Sequence, residues 1–133
     1  MRVFLDTNVL VSAFATRGLC SDLLELVLIE HELITGRGVL AELQSALRTK
    51  IKLPAVRCEE IVEFVAQEAS LVVERPAAVE CEADAADRVV LGEALAGKAR
   101  AFVTGDAALA ALGEIGDMSI LTPRQFWERL RKP

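Results

Sequence analysis

Val3-Phe4-Leu5-Asp6-Thr7-Asn8-Val9-Leu10 changes its hydrophobic period at the fourth residue. Residues 2 to 5 form a short apolar run that stops at Asp6, and Val9, Leu10 and Ala13 then recur at helical spacing toward Phe14. A strand therefore passes directly into a helix, with a carboxylate at the junction. The same alternation repeats downstream. Amphipathic patterns predict helices over Ser21 to Glu30, Arg37 to Arg48, Glu59 to Ala69 and Asp84 to Ala96. Short apolar runs predict strands near Glu32 to Thr35, Leu71 to Val73, Ala101 to Thr104 and Ser119 to Leu121. Lys50 to Arg57 contains Pro54 and reads as a basic loop, and Arg75 to Cys81 is a connection broken by Pro76. Leu109 to Leu112 suggests a further short helix. Thr122-Pro123-Arg124-Gln125 is a capping box with proline at the first helical position, opening a C-terminal helix through Trp127 and Leu130.

Parallel strands need crossover connections, and helices supply them. The pattern therefore predicts an α/β fold, a three-layer α/β/α sandwich around a central, mainly parallel sheet. At 133 residues, with no repeat, low-complexity tract or linker, the chain is expected to form a single domain over 1–133. In such sheets ligands collect beyond the carboxyl ends of the strands. Asp6 and Asp106 both follow predicted strands and are expected there.

Hydrophobic residues make up 53% of the chain and charged residues 26%, a balance that excludes a disordered or fibrous protein. Tyrosine is absent and Phe and Trp are few, which leaves little aromatic surface for stacking single-stranded bases. The N-terminus carries a charge at Asp6 and lacks a signal-peptide pattern, and no apolar stretch approaches the ~20 residues a membrane helix needs. A soluble, cytoplasmic protein is expected. Cys20, Cys58 and Cys81 form no C-x-x-C pair, which fits reduced thiols better than a disulfide frame or zinc site.

The net charge of −5 argues against a protein that holds nucleic acid by overall charge. Its distribution is uneven. Arg37, Arg48, Lys50, Lys52 and Arg57 face one acid, Glu42, between positions 37 and 57, whereas Glu59 to Asp87 holds nine acids against Arg75. A basic segment beside an acidic pocket would attract a phosphate chain, with Lys50 and Lys52 as candidate contacts. A solvated helix end and loop would give the same pattern.

Asp6, Asp84 and Asp106 each stand where a helix begins, so ordinary N-capping accounts for them as well as chemistry does. Asp87 is less easily explained that way. With Val90, Leu91 and Ala94 it follows i, i+3, i+4, i+7 spacing, which aims its carboxylate from the face that packs inward. Glu42 lies in mid-helix at the edge of an apolar stripe, where a surface glutamate is also common. Clustered carboxylates repel one another and resist desolvation unless cations compensate them. All-oxygen donors without convergent His or Cys point to magnesium or manganese rather than zinc. Spacing alone leaves open whether the acids meet.

The chain resembles the PIN-domain family, in particular its bacterial toxin-like branch. Asp6-Thr7-Asn8-Val9-Leu10-Val11-Ser12-Ala13 after an apolar strand is similar to the family's first motif. Ile34-Thr35 through Val39-Leu40-Ala41-Glu42-Leu43 resembles the second, Asp84-Ala85-Ala86-Asp87-Arg88-Val89-Val90-Leu91 the third, and Phe102-Val103-Thr104-Gly105-Asp106 the fourth. Ile120-Leu121-Thr122-Pro123 fits the usual ending.

The resemblance implies a site in which Asp6, Glu42, Asp87 and Asp106 surround one or two magnesium or manganese ions. Asp6, Asp87 and Asp106 would be the metal ligands. Asn8 and Thr104 would be polar supports and Asp84 an accessory acid. It further implies an endoribonuclease acting as the toxin of a toxin–antitoxin pair, with RNA as substrate, an antitoxin protein as partner and a homodimeric assembly. Two departures stand out. Ala107 and Ala108 occupy positions where members often carry another acid, and Ala85 stands where proline often follows the acid matching Asp84.

The competing expectation is a catalytically inactive PIN-like metal-binding or interaction module. A phosphoryl-accepting receiver would want lysine after a late strand, where Asp106 stands. A haloacid-dehalogenase-like phosphatase would want a second Asp at position 8, which is Asn.

Overall fold

The computed structural model describes residues 1–132, so Pro133, the last residue of the expected domain, lies outside the described residues. Strand β1 (Arg2–Leu5) runs into helix α1 (Thr7–Ala15), followed by α2 (Leu19–Glu30), β2 (Glu32–Gly36), α3 (Arg37–Thr49), α4 (Ala55–Glu68) and β3 (Leu71–Val73). The second half comprises α5 (Ala85–Ala96), β4 (Ala101–Val103), α6 (Ala107–Ala110), β5 (Glu114–Ile115), β6 (Met118–Leu121) and α7 (Pro123–Arg131). The strands form one sheet in the order β3-β2-β1-β4-β6-β5, parallel except for the β5/β6 pair. Helices flank this sheet, which is the α/β architecture the alternation predicts.

β1 sits in the middle because its side chains suit a strand covered on both faces: Val3, Phe4 and Leu5 are all fully buried. Phe4 pairs in register with Phe102 on β4, and the two rings stack at 5.5 Å with an interplanar angle of 9°. Such a pair adds about 0.5–1.5 kcal/mol beyond the area it buries. Around it Leu10, Leu23, Leu33, Ile34, Leu43, Leu47 and Leu91 close an aliphatic core.

The strand order places a topological switch at the β1/β4 boundary. From β1 the chain steps through β2 and β3 on one side, then returns to lay β4 and β6 on the other. Crossover helices therefore diverge above the carboxyl ends of β1 and β4, leaving a crevice between them. Asp6 and Asp106 begin the two segments that leave this point.

Several boundaries differ from the periodicity reading. Helix α4 starts at Ala55, with Pro54 as its N-cap, so the basic connection is only residues 50–54 and Arg57 is helical. Proline fixes φ near helical values and tolerates the first turn of a helix, so it opens α4 rather than delaying it to Glu59. Helix α2 starts at Leu19, because the Ser21 hydroxyl turns back to the Gly18 backbone from inside the first turn. The β5/β6 hairpin was not predicted. Two residues are too short to show alternation, and its turn rests on Gly116 at φ 57°.

Candidate functional site

Asp6 is the pivot of the crevice. As N-cap of α1 it accepts the Thr7 amide at 2.8 Å on Oδ1, while Oδ2 accepts the Thr104 hydroxyl at 2.8 Å and Asn8 Nδ2 at 3.4 Å. The Thr104 hydroxyl also accepts the Asp106 amide at 3.0 Å, and the Gly105 amide donates to Asn8 Oδ1 at 2.8 Å. The turns after β1 and β4 are thus stitched together by Asn8 and Thr104. Thr104 itself is wholly buried beneath the site.

Asp106 caps α6 through one oxygen, Oδ1, which accepts the amides of Ala108 at 2.9 Å and Leu109 at 3.3 Å. Asp84 caps α5 and accepts the Asp87 amide at 2.8 Å. The capping explanation of these three aspartates therefore holds, yet it accounts for only part of each carboxylate's capacity.

One cleft of about 630 Å³ brings together Asp6, Glu42, Asp87 and Asp106 from four separate elements. Thr7 and Asn8 line it beside the acids; Ser12, Ser45, Thr49 and Lys50 line its flank between α1 and α3. Lys52 and Asp84 are not among its walls. Lys52 instead occupies the left-handed region at φ 63° in the short α3–α4 connection. Two other cations of the basic segment are engaged at the surface, Arg37 with Glu74 at 3.0 Å and Arg57 with Glu60 at 3.2 Å.

Burial first, and repulsion between the acids second, push two of the cleft carboxyls upward. Burial pushes the Asp6 carboxyl up, the hydrogen bonds from Thr104 and Thr7 oppose it, and the charges of Glu42 and Asp106 add to the rise. Asp87 is raised by desolvation and by Asp84, Asp6 and Asp106. Each of the charged neighbours acting on these two groups is another carboxylate.

The candidate acids offer only oxygen donors, the kind that hard divalent cations such as magnesium or manganese favour. Among the described residues no three acid, His or Cys side chains stand within common coordinating reach. The chemistry of the residues fits a hard divalent cation, and their side chains would have to draw inward to share one.

Sequence reasoning overlooked Thr7. Its hydroxyl donates to Glu42 Oε1 at 3.0 Å, orienting an exposed glutamate from across the cleft. Position 7 lies inside the first motif, but only the packing of α1 on α3 brings it to Glu42. Glu93 was also missed; it is 1% exposed and bonded to the start of α3.

Comparison with solved structures finds a match in the VapBC2 complex from Rickettsia felis bound to a DNA fragment from its promoter. The alignment has a TM-score of 0.65 and 16% identity, and covers 92% of this chain and 98% of the other, a likeness of fold. No curated protein sequence matches. The sequence profile of the PIN domain matches residues 2–108, a span that contains Asp6, Glu42, Asp87 and Asp106 and every strand that positions them. With most of its length inside that match, this chain belongs to the PIN-domain family.

Proposed function

We propose that the protein is a magnesium- or manganese-dependent endoribonuclease, the toxin of a toxin–antitoxin pair, built as one nuclease unit that works in the cytoplasm. The observation that carries this reading is the meeting of four carboxylates, the N-caps of α1 and α6 and one acid each from α3 and α5, in one cleft at the sheet's switch point, with Lys50, among the described residues, as the one cationic side chain on its walls. Such a charge arrangement is costly for a purely structural site and suits one that works with divalent cations.

Asp6, Asp87 and Asp106 would hold the ion, which when bound supplies Lewis acidity and charge neutralisation at a phosphodiester. Thr104 and the Thr7 amide fix the Asp6 carboxylate in one orientation. Glu42, outside the ligand set and steadied by Thr7, would accept a proton from the attacking water. Asn8 keeps the Gly105 turn closed against α1, and Asp84 holds the first turn of α5 that carries Asp87. Lys50 would contact a phosphate of the RNA entering along the flank of the cleft. Lys52, which lies off the walls, is the weaker candidate for such a contact. The likeness in fold to the VapBC2 complex supports an antitoxin partner, and a homodimer is the assembly we expect.

A second reading, a catalytically inactive metal-binding or interaction module, draws on the separation of the carboxylates and on Ala107 and Ala108 after the last motif. Incubation of a mixed pool of structured and single-stranded RNAs with manganese or magnesium separates the two. The wild type should cut, EDTA should stop it, and Asp6→Asn should lose roughly 10³-fold, the several kcal/mol a Lewis acid contributes to the transition state. A wild type that binds manganese but cuts no better than Asp6→Asn supports the second reading.

A further inference from the structure

Glu93, near the end of α5, is a buried carboxylate with no cationic partner among the described residues. Its Oε2 accepts the Gly38 amide at 2.7 Å and its Oε1 the Val39 amide at 3.3 Å. These amides belong to the first turn of α3, whose own N-cap, Gly36, has no side chain to serve them. Glycine also makes the room. A Cβ at Gly36 would overlap the Glu93 carboxyl group, and one at Gly38 would lie 3.1 Å from Oε1.

A serine or aspartate at an N-cap is the usual local way to serve such amides, but at position 36 its Cβ would meet Glu93. Here the cap comes from another helix, fifty-five residues away in sequence at the Gly38 bond, and its burial raises the carboxyl against the pull of the two amides. A distant cap ties α3 to α5, which a local one would not do. Both helices carry cleft acids. Asp87 stands six residues before Glu93 on α5, and Glu42 four residues after Gly38 on α3, about 6 Å along a rigid helix at 1.5 Å per residue.

We propose that Glu93 is a positioning residue: clamped on the Gly38 and Val39 amides, it fixes α3 against α5 and so sets the separation of Glu42 from Asp87 across the cleft. The consequence for catalysis rests on the nuclease reading above. The geometric claim does not.

The test uses Glu93→Ala, Glu93→Gln, Gly36→Ala and the double variant Gly36→Ala/Glu93→Ala in the full chain. Crystal structures or NMR distances, metal-free, should show α3 displaced from α5 by about 1 Å or more in Glu93→Ala, a misplacement of the size that can cost 10²-fold in rate. The kcat should fall roughly 10–100-fold, the size expected for a misplaced proton acceptor, with KM and calorimetric manganese affinity changing less, because Glu42 stands outside the ligand set.

Glu93→Gln should fall between, because one amide keeps an acceptor while the other meets an NH2 group. Gly36→Ala should resemble Glu93→Ala, since its methyl takes the carboxylate's place. Added to Glu93→Ala it should cost little more. An unmoved α3, or additive losses in the double variant, would overturn the proposal, as would a lower Tm with kcat unchanged. If the nuclease reading alone is wrong, the wild type does not cleave, while α3 still moves in Glu93→Ala.

Discussion

On the strand side of the cleft Asp6 is 8% exposed and its two oxygens take the Thr7 amide, the Thr104 hydroxyl and Asn8 Nδ2. On the helix side Glu42 is exposed and takes one hydrogen bond, from Thr7, and the charges that act on Asp87 are those of Asp84, Asp6 and Asp106. One side is held by backbone turns that are continuous with the sheet. The other is held by where two helices happen to pack. A site built in this way has a fixed anchor and an adjustable wall, so substitutions on the two sides should fail differently.

The sharpest contrast comes from Thr104→Val. The change keeps the shape but removes the hydroxyl that joins Asp6 to the Asp106 amide, leaving buried groups unpaired. Stability should drop by about 1–3 kcal/mol, and activity by more than the stability loss alone would explain. Urea unfolding and kcat measured on the same preparation check both. If Thr104→Val were as stable as wild type, the strand side would not be the anchored one.

Thr7→Val probes the helix side. Glu42 would lose its one hydrogen bond while nothing buried is left unpaired, so kcat should fall several-fold with a Tm within about 1–2 °C of wild type, as suits a surface substitution worth under ~0.5 kcal/mol. A large loss of stability would show that α1 and α3 depend on this bond and would erase the distinction.

A third comparison uses pH. The Asp87 carboxyl is raised by burial and neighbouring carboxylates, so its contribution to stability is full below the unfolded value and is lost as pH rises through the folded one. In EDTA at pH 7, Asp87→Asn should therefore melt above wild type. The gap should close as pH falls toward ~4, where an ordinary aspartate also protonates. Manganese should reverse the order at pH 7, because only the wild type keeps the full set of acids. Thermal melts across pH with and without manganese make the measurement.

The smallest effects are expected outside the acids. Lys50→Ala should raise KM a few-fold and flatten its dependence on salt, since Lys50 lines the cleft. Lys52→Ala, whose side chain is not among the walls, should leave KM unchanged and serve as the control. Equal effects from both would mean that the whole connection, rather than the cleft wall, meets the proposed RNA substrate.

How much of this could be read without the structure depends on the range of the interaction responsible. The parallel α/β plan was legible because each strand and helix announces itself over five to ten residues, and apolar strands joined by helices leave few ways to pack. Asp6 and Asp106 were legible for the same local reason, since a carboxylate between a strand and a helix falls at the carboxyl end of the sheet. The start of α4 was misjudged because Pro54 permits a break and a helix start alike.

By itself the sequence determined the order of elements, the all-carboxylate character of the candidate site and the motifs that led to the family. Only the tertiary structure decided that Asp6, Glu42, Asp87 and Asp106 share one cleft, that Lys50 borders it while Lys52 and Asp84 do not, and that Thr7 and Glu93 serve α3 from a distance. The physical reason is separation along the chain. Periodicity reports which face of a helix is apolar, but the rotation and height at which α3 and α5 meet the sheet come from packing and from hydrogen bonds such as Glu93 to Gly38, which span many turns of sequence and leave no local pattern.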